Sequence, residues 1–244
     1  MKISIIIATF NAAKTLRCCL DSIVPQLTDE TELILVDGGS KDETNAIIDS
    51  YGDKIAVHIS EPDKGIYDAW NKGVKAAQGD WVMFVGADDI LLPDAIANYL
   101  DFISTLTAET DFISSKINYI DENGATLDIS GKLWNYDRCK YNMDVTHVAS
   151  LTSKRYFQRA GLFNIDYKIV GDYELLMRGG KEMVAAFMEK VNADMRTGGA
   201  SFSVKALKEQ YKVKRNVAKM PAILCWMIFC VQLFLFYTYK LRHK

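Results

Sequence analysis

The sequence predicts an α/β protein with a mostly parallel central sheet flanked by helices, followed by an apolar helix at the C-terminal end. Short β-branched runs alternate with amphipathic helical patterns over about the first hundred residues, which is typical of βαβ units. Acidic clusters directly follow three of these runs. The stretch from Pro221 to Tyr239 is different, because it is almost uninterrupted apolar sequence and so predicts a separate helix.

The first half of the predicted sheet begins at the N-terminus. A strand covers about Lys2 to Ala8, and a helix follows near Ala13 to Ile23, for which Asn11 is a suitable N-cap. A second apolar run, Leu33 to Val36, predicts the next strand. The capping-box pattern Ser40-Lys41-Asp42-Glu43 then predicts the start of another helix.

The following elements continue the alternation and then change character. Ile55 to Ile59 predicts a third strand, Tyr67 to Ala77 a helix, and Trp81 to Val85 a fourth strand. Two further runs, Phe112 to Ile120 and Ala125 to Ile129, are joined by a short segment with Asn-Gly at its tip. That pattern predicts a β-hairpin.

Bulk properties limit the classes of protein to consider. The chain has 244 residues, which is enough for one large α/β domain with a small appendage. Its formal net charge of −2 gives no overall attraction for nucleic acid. Its 5 cysteines match no disulfide or zinc framework, which indicates a reducing compartment such as the cytosol or a surface facing it. The apolar run at the N-terminus is too short for a signal peptide.

Three acidic clusters point to one binding site. Asp37 follows the second predicted strand, Asp63 the third, and Asp88 and Asp89 the fourth. Open α/β sheets bind ligands outside the carboxyl ends of their strands, where these side chains would gather. Like charges at close range need a cation, and a divalent metal that carries a diphosphate meets this need. The clusters therefore predict a nucleotide-sugar site, and helix capping by Asp88 and Asp89 is the less favoured alternative.

Residues near these clusters each have a second interpretation. Thr9 and Asn11 end the first strand, where a hydroxyl and backbone groups would hold a base or ribose; a plain turn with an N-cap has equal weight. Asn71 shares a helical face with Tyr67 and Asp68, so it would reach the same cleft.

Taken in order, these segments resemble the family-2 glycosyltransferases of the GT-A fold, over the chain up to about Gly199. The resemblance rests on four motifs: Thr9-Phe10-Asn11, Val36 to Thr44, Asp63 to Gly73 and Gly79 to Asp89. It implies a Rossmann-like GT-A sheet and a nucleoside-diphosphate sugar as donor. The donor-binding residues that follow from it are Thr9, Asn11, Asp37, Asp63, Gly65, Asn71, Asp88 and His147. The metal-binding residues are Asp89 and Asp88, which would hold Mg²⁺ or Mn²⁺.

The resemblance also supplies a catalytic base and two further features. The segment Gly171-Asp172-Tyr173-Glu174 is similar to the family's base element, which implies that Asp172 is the base of an inverting transfer. An N-cap role for Asp172 is the alternative. Glu174 is a second candidate base. His147 lies where relatives often have a His, which implies a contact with a phosphate or the acceptor; a structural role is the alternative, since a lone His is more often structural. The segment Gly198-Gly199-Ala200-Ser201 is similar to a loop that closes on the donor. The sequence departs at Gly86, where the family often has a further Asp, and this leaves open how Asp88 and Asp89 share their task.

The C-terminal region predicts contact with a membrane. The apolar run from Pro221 to Tyr239 is long enough to span a bilayer or to lie in its interface; the core helix of a soluble oligomer ranks third. Basic residues flank it on both sides, so the positive-inside rule gives no orientation. They are Lys205, Lys208, Lys212, Lys214, Arg215 and Lys219 before it, and Lys240, Arg242, His243 and Lys244 at its end. We expect a GT-A domain at 1–203, a basic linker helix at 204–219 and a membrane-associated segment at 220–244.

The expected function follows from the site and the resemblance together. It is an inverting, non-processive transfer of one sugar, from a UDP-sugar in the first instance, to a polyprenyl-diphosphate-linked glycan on the cytoplasmic face of the inner membrane. Surface polysaccharides such as O-antigen, capsule or exopolysaccharide would be the product. The chain lacks the Gln-x-x-Arg-Trp element of processive synthases. The alternatives are a non-catalytic, membrane-tethered sugar-nucleotide binder, which only Gly86 supports, and a nucleotidyltransferase, which would need a Gly-rich basic loop after the first strand.

Overall fold

The computed structural model describes residues 2–107 and 109–242. Its strands are β1 Ile3–Thr9, β2 Thr31–Asp37, β3 Val57–Ser60, β4 Trp81–Gly86, β5 Ile90–Leu91, β6 Phe112–Ile120, β7 Thr126–Ser130, β8 Leu151–Ser153 and β9 Ala185–Arg196. Its helices are α1 Leu16–Ile23, α2 Thr44–Asp49, α3 Ile66–Ala76, α4 Ala95–Ser104, α5 Tyr136–Cys139, α6 Lys154–Ala160, α7 Gly171–Gly179, α8 Val204–Asn216 and α9 Ala222–Arg242.

One mixed sheet organises the domain. In the described residues its strand order is β3-β2-β1-β4-β8-β6-β9-β5, with β7 paired to β6. β3, β2, β1 and β4 are mutually parallel. In the register of these strands, Thr9 lies beside Asp37, Asp37 beside Ser60, and Ala8 beside Gly86. The carboxyl ends of the four strands therefore meet at one edge, and the acidic clusters that follow them lie close together.

Helices cover both faces of the sheet, and the residues of β1 show why. Ile6 packs with Trp70 and Phe84 in the apolar cluster on the α3 side. Ile5 and Ile7 pack into the cluster on the opposite side, which contains α1 and α4. Because successive residues of a strand point to opposite faces, a continuous apolar run can serve two cores, as buried parallel strands require. The predicted α/β class with a mostly parallel, helix-flanked sheet of the GT-A type is confirmed.

The strand predictions differ from the structure in two places. The predicted hairpin is confirmed, because β6 and β7 pair antiparallel. The third strand, however, is not a buried one: β3 lies at the end of the strand order and alternates partly buried with exposed residues. β9 is a long strand that sequence patterns miss, since charged residues such as Glu189, Lys190 and Asp194 interrupt its apolar residues. Its parallel pairing with β6 joins segments far apart in the chain.

Two helix starts also differ from the prediction. Asn11 does not cap the first helix, because α1 begins only at Leu16. Asn11 instead takes a positive φ of 50°, and its Oδ1 accepts a hydrogen bond from the Lys41 backbone N–H at 2.9 Å. Ser40 does not cap α2 either. The N-cap residue of α2 is Glu43, which makes no side-chain capping bond. The backbone N–H of Thr44 instead donates to Oδ1 of Asp42, just before the cap, at 3.1 Å.

The C-terminal region forms two helices that pack against each other. α9 contains a 20-residue apolar stretch, Ala222–Leu241, with mean hydropathy 1.9, of which 11% is buried. Such a helix is long and apolar enough to cross a membrane. The basic segment before α9 is partly buried. Lys214 lies against the Tyr173 ring, and burial lowers the pKa of its ammonium group to about 8. His243 and Lys244 lie outside the described residues.

Candidate active site

Two cavities adjoin at the carboxyl edge of the parallel strands, and Ile66 lines both. The first has a volume of about 450 Å³ and is lined by Ala8, Thr9, Phe10, Gly38, Asp63, Gly65 and Ile66. The second has a volume of about 430 Å³, and its polar lining includes Asp88, Asp89, His147, Lys168, Asp172, Arg196, Ser201 and Gln210. The structure thus brings most of the predicted site residues together, divided between two neighbouring cavities.

Asp37 organises the loop beneath the first cavity. It is fully buried and does not line the cavity itself. Burial alone would raise its pKa, but hydrogen bonds outweigh burial and lower the pKa to about 2. The donors are Thr9 Oγ1 at 3.1 Å, Gly39 N at 3.0 Å, Ser40 N at 2.9 Å, Asn45 Nδ2 at 3.1 Å and Ser60 Oγ at 3.0 Å, together with Ser40 Oγ. With its oxygens occupied in this way, Asp37 shapes the loop rather than offering a free acceptor to a ligand.

The turn after β3 forms the other wall of the first cavity. Asp63 Oδ1 accepts a hydrogen bond from the Gly65 backbone N–H at 2.7 Å. Gly65 has a φ of +119°, a conformation that L side chains rarely adopt. Phe10 stands at the same cavity with 65% of its surface exposed. An exposed aromatic ring beside a carboxylate offers a stacking face and a hydrogen-bond acceptor to a planar polar group.

The acidic pair after β4 lies in the second cavity. Asp88 is exposed, whereas Asp89 is buried and accepts hydrogen bonds from the Gly86 N–H at 3.2 Å and the Arg196 N–H at 3.3 Å. Burial, followed by the charge of Asp88, raises the pKa of Asp89 to about 7. A Cβ at Gly86 would lie 2.5 Å from Asp89 Oδ2 and 2.9 Å from Asp88 Oδ1. The departure from the family pattern at this position therefore leaves room for both carboxylates.

A divalent metal fits this pair chemically. Within the described part of the chain, no three His, Cys, Asp or Glu side chains are grouped as ligands for an ion. Asp88 and Asp89 would accordingly supply two oxygen ligands, and phosphate and water oxygens would complete the set, as is usual for Mg²⁺. Because Asp89 is buried beside a second carboxylate, a nearby cation favours its ionised form.

Asp172 lies across the second cavity on α7, close to the start of that helix. Its side chain makes no capping bond, since Val170 is the N-cap residue. The Tyr67 hydroxyl lies 3.0 Å from Asp172 Oδ1 and 2.8 Å from the Ile169 carbonyl oxygen, and it donates its single proton between them. Burial, followed by the charge of Asp172, raises the pKa of Tyr67 well above its ordinary value, so Tyr67 remains a hydrogen-bond donor. Tyr67 thus fixes the position of a carboxylate that faces the cavity.

Glu174, the second candidate base, is placed differently. Its carboxylate is buried and lies 3.0 Å from the Arg178 Nε, one helical turn away. Burial raises the pKa of Glu174, and the attraction of Arg178 opposes that rise. Glu174 does not line the cavity. The ion pair instead supports α7, because Arg178 also donates to the carbonyl oxygens of Ala160 and Leu162.

His147 lines the second cavity with two unused polar atoms. Its ring packs against both Trp70 and Phe84, with centroid distances of 5.3 Å to each. Neither ring nitrogen has a hydrogen-bond partner in the described structure. Burial lowers the pKa of His147, an effect that the charge of Asp172 opposes, so the imidazole is neutral near pH 7. A buried, unpaired imidazole in a cavity is suited to bind a polar ligand there.

Sequence patterns miss two basic residues at the second cavity. Arg196 ends β9, and its buried Nε has no partner in the described structure. Lys168 precedes α7, and its ammonium donates to the carbonyl oxygens of Lys64 and Ile165, at 2.8 Å each. An isolated basic residue has no sequence pattern that marks it as part of a site. Arg196 reaches the cavity through the long-range pairing of β9, and Lys168 reaches it because the 161–170 loop docks against α3.

Besides Asp37, two of the predicted donor-binding residues line neither cavity. Asn11 ties its own loop to the loop after β2. Asn71 is buried and faces the loop before α7: its Nδ2 donates to the Phe163 carbonyl, and its Oδ1 accepts from the Phe163 N–H, both at 2.9 Å. Both atoms of the amide are therefore used to hold that loop on α3, and a contact with the donor has no support in the geometry.

Replacing Asn71 tests this structural role. We expect Asn71→Ala to lower the free energy of unfolding by about 2–4 kcal/mol, because it leaves the backbone N–H and C=O of Phe163 buried without partners. Lys75→Ala, at an exposed position of the same helix, is the matched control and should change it by less than about 0.5 kcal/mol. Urea denaturation measures both. Equal stability of the two variants would contradict the role given to Asn71.

Comparison with known proteins agrees with the geometry. The model of the family described as "Glycosyl transferase family 2" matches residues 4–163 of this chain. A PGL/p-HBAD biosynthesis glycosyltransferase of Mycobacterium bovis is 33% identical over 212 residues, covering 82% of this chain and 79% of the relative. An uncharacterized glycosyltransferase of Rickettsia prowazekii is 29% identical over 181 residues, covering 71% of this chain and 57% of the relative.

Solved structures show the same fold at low identity. Staphylococcus aureus TarS 1–349 in complex with UDP has a TM-score of 0.69 and 19% identity, and covers 94% of this chain and 70% of that chain. The mannosyltransferase PcManGT from Pyrobaculum calidifontis, in complex with GDP-Man and Mn²⁺, has a TM-score of 0.67 and 15% identity. The match covers 90% of this chain and 65% of that chain. The family match exceeds half of the chain, and the chain belongs to the family-2 glycosyltransferases.

Proposed function

We propose that this glycosyltransferase moves one sugar, with inversion, from a nucleoside-diphosphate sugar to a hydroxyl of a lipid-linked acceptor. The observation that carries the proposal is the second cavity, where Asp172 and the Asp88–Asp89 pair line the same space. The adjoining cavity at Phe10 and Asp63 offers a place for the nucleoside. A single donor would then extend from one cavity to the other past Ile66.

The nucleoside end would be held by the first cavity. Phe10 would stack on the base and Asp63 would accept a hydrogen bond from it, while Thr9 and Gly65 define the walls. Asp37 acts indirectly, through the hydrogen bonds that fix the loop beneath. TarS, solved with UDP and with UDP-GlcNAc, has this fold, and these structures support UDP-sugars as the first donors to test. GDP-Man in PcManGT makes guanosine donors the next choice.

The diphosphate would lie at Asp88 and Asp89. A bound Mg²⁺ or Mn²⁺ would supply positive charge to the departing diphosphate there. Arg196, whose side chain lines the same cavity and whose Nε has no partner in the described structure, would add a second positive charge. Lys168 contributes a third. Gly199, Ala200 and Ser201 also line this cavity, and we propose that their segment closes on the donor.

Asp172 would act as the general base. Its carboxylate accepts the proton of the acceptor hydroxyl while the acceptor oxygen bonds to the anomeric carbon, and the bond from that carbon to the diphosphate oxygen breaks. Tyr67 orients the carboxylate through its hydrogen bond. A neutral His147 would bind a sugar or acceptor hydroxyl with its free nitrogens. Attack from the face opposite the diphosphate inverts the anomeric configuration.

The acceptor and location extend the same proposal. The apolar helix α9 supports a chain that works at a membrane. We propose that it works on the cytoplasmic face, with 1–203 as the catalytic domain. We propose a polyprenyl-diphosphate-linked glycan as acceptor, and a surface polysaccharide repeat unit as product. The curated mycobacterial relatives are named for PGL/p-HBAD biosynthesis, so a glycolipid with a different apolar carrier is the second acceptor class to test.

The test is a transfer assay on membranes that contain the full chain. Radiolabelled nucleotide sugars are supplied one at a time with Mn²⁺ or with EDTA, and label is measured in the lipid extract. We expect one donor to label the extract with Mn²⁺ and not with EDTA, and the new linkage to have the opposite anomeric configuration to the donor. A product of retained configuration would contradict the role of Asp172, and label that is independent of metal would contradict the role of Asp88 and Asp89.

A further inference from the structure

α9 docks lengthwise on α8 and on the loop at Phe202 through one of its faces. The docked residues are spaced i, i+4, i+7 and i+11, which is one stripe of a helix. They are Cys225, which is fully buried, Phe229 against Tyr211 at 6.2 Å between ring centroids, Gln232, whose Nε2 donates to Gln210 Oε1 at 3.3 Å, and Phe236 against Phe202 at 5.0 Å. At 1.5 Å per residue, the stripe runs for roughly 16 Å of the helix.

The opposite face of α9 is apolar and exposed. Ile223, Met227, Phe234 and Leu241 are 72%, 55%, 67% and 73% exposed. Trp226 near one end and Tyr237 near the other are also exposed. An apolar patch of this length on a described surface indicates a site of contact with an apolar medium or a partner. The docked face of α9 is covered by the rest of the protein, so it needs no polar residues for contact with water.

The lengthwise docking is incompatible with a helix that crosses a bilayer. The hydrocarbon core is about 30 Å thick, so a span would use nearly all of a 21-residue helix. The attached residues would have to enter the hydrocarbon with it, including the irregular backbone around Phe202 and the exposed Lys208 and Lys212 of α8. Unpaired backbone groups and lysine ammonium groups are strongly disfavoured there.

The ends of the exposed face favour a lipid surface as its occupant. Trp226 and Tyr237 are exposed near its two ends, and such rings suit the interface between lipid and water. Lys240 is exposed at the end of α9, and Lys205, Lys208 and Lys212 are exposed on α8, which packs on the other face of α9. Basic residues at the end of an apolar helix and on its neighbour are attracted to anionic headgroups.

We infer that α9 lies in the plane of an anionic membrane, with the face of Ile223, Met227, Phe234 and Leu241 in the lipid, and does not cross the bilayer. The inference rests on the proposed function only in its consequence for the acceptor. Gln210, which contacts α9, and Ser201, beside the docked loop, both line the second cavity. The cavity therefore opens beside the membrane surface, where the hydroxyl of a lipid carrying a short glycan would lie.

Two measurements on the full chain test the inference. The first fuses alkaline phosphatase or green fluorescent protein to the C-terminus in a bacterial host. An in-plane helix keeps both ends of the chain on the cytosolic side, so we expect fluorescence and no phosphatase activity. Active phosphatase would show that α9 crosses the membrane and would overturn the inference.

The second measurement is flotation of the purified chain with vesicles of phosphatidylcholine, with and without phosphatidylglycerol. We expect stronger binding to the anionic vesicles and weaker binding at high salt. The double change Met227→Glu with Phe234→Glu should reduce binding by about tenfold or more. The matched control, Leu127→Glu with Ile129→Glu, adds the same charge at exposed positions of β7 and should bind as the wild type does.

The outcomes separate this inference from the proposed function. Equal vesicle binding by the two double variants, or a wild-type chain that does not float and forms dimers instead, would contradict the membrane-facing role of α9. Donor affinity is measured on the same preparations with Mn²⁺, and we expect it to be equal in all of them. If no donor binds while topology and flotation are as expected, the proposed function fails and the in-plane helix stands.

Discussion

The variant Asp172→Asn is expected to lower kcat for sugar transfer by about 10²–10⁴-fold, because an amide cannot accept the acceptor's proton. The KM for the donor should change far less, since in the proposed site the donor is held mainly by the first cavity and by Asp88 and Asp89. The Tyr67 hydrogen bond survives, because the amide oxygen still accepts it, and stability should be close to that of the wild type. Initial-rate kinetics in Mn²⁺ measure both constants.

Controls for Asp172 come from its neighbours. Asp166→Asn makes the same chemical change at an exposed position six residues earlier, and we expect wild-type kinetics. Glu174→Gln breaks the buried pair with Arg178, so its main effect should be a loss of stability of about 3 kcal/mol or more. A kcat within about tenfold of wild type for Asp172→Asn, or a larger catalytic loss for Glu174→Gln in folded protein, would assign the base elsewhere.

Loss of Asp89 is expected to have the second large effect. Asp89→Asn removes the buried carboxylate that we propose as a metal ligand, and kcat/KM should fall by about a thousandfold, which corresponds to the several kcal/mol that a metal contributes to a leaving diphosphate. Addition of EDTA should then change the residual rate little. Thermal stability should be equal or higher, because the change removes the repulsion between two neighbouring carboxylates, one of them buried.

The matched control for this prediction is Asp94→Asn. Asp94 is exposed and has a φ of 63°, a conformation that Asn also tolerates, so rate and metal dependence should be unchanged. A variant Asp89→Asn that still responds to Mn²⁺ and EDTA as the wild type does would place the metal on other ligands. A matching loss in Asp94→Asn would point to a general effect of charge in this loop.

Local signals explain which parts of the fold and site could be predicted from the sequence. β1, β2 and β4 are buried on both faces, so they are largely apolar runs, and the acids at the ends of β2 and β4 are visible in the chain. β9 is only half buried, and its place beside β6 depends on residues about 75 positions apart, such as Asn118 and Asp194. Sequence patterns cannot report such a pairing, and Arg196 was missed with it.

The roles of individual polar residues were harder to predict than their presence. Asp37 was identified as important, but its hydrogen bonds to Ser40, Asn45 and Ser60 turn it toward its own loop. Asn71 lies on the expected helical face, yet the Phe163 backbone takes both of its amide atoms. In each case the competing partner comes from a segment whose position depends on tertiary packing.

The most direct test of the central claim is calorimetric titration of UDP-sugars and GDP-sugars into the full chain. It compares wild type, Asp89→Asn and Asp172→Asn, each with Mn²⁺ and with EDTA. The account predicts that one donor binds wild type and Asp172→Asn with Mn²⁺, and that EDTA or Asp89→Asn weakens this binding sharply. Binding that ignores both the metal and Asp89, or no binding of any donor, would contradict a metal-dependent donor site built across the two cavities.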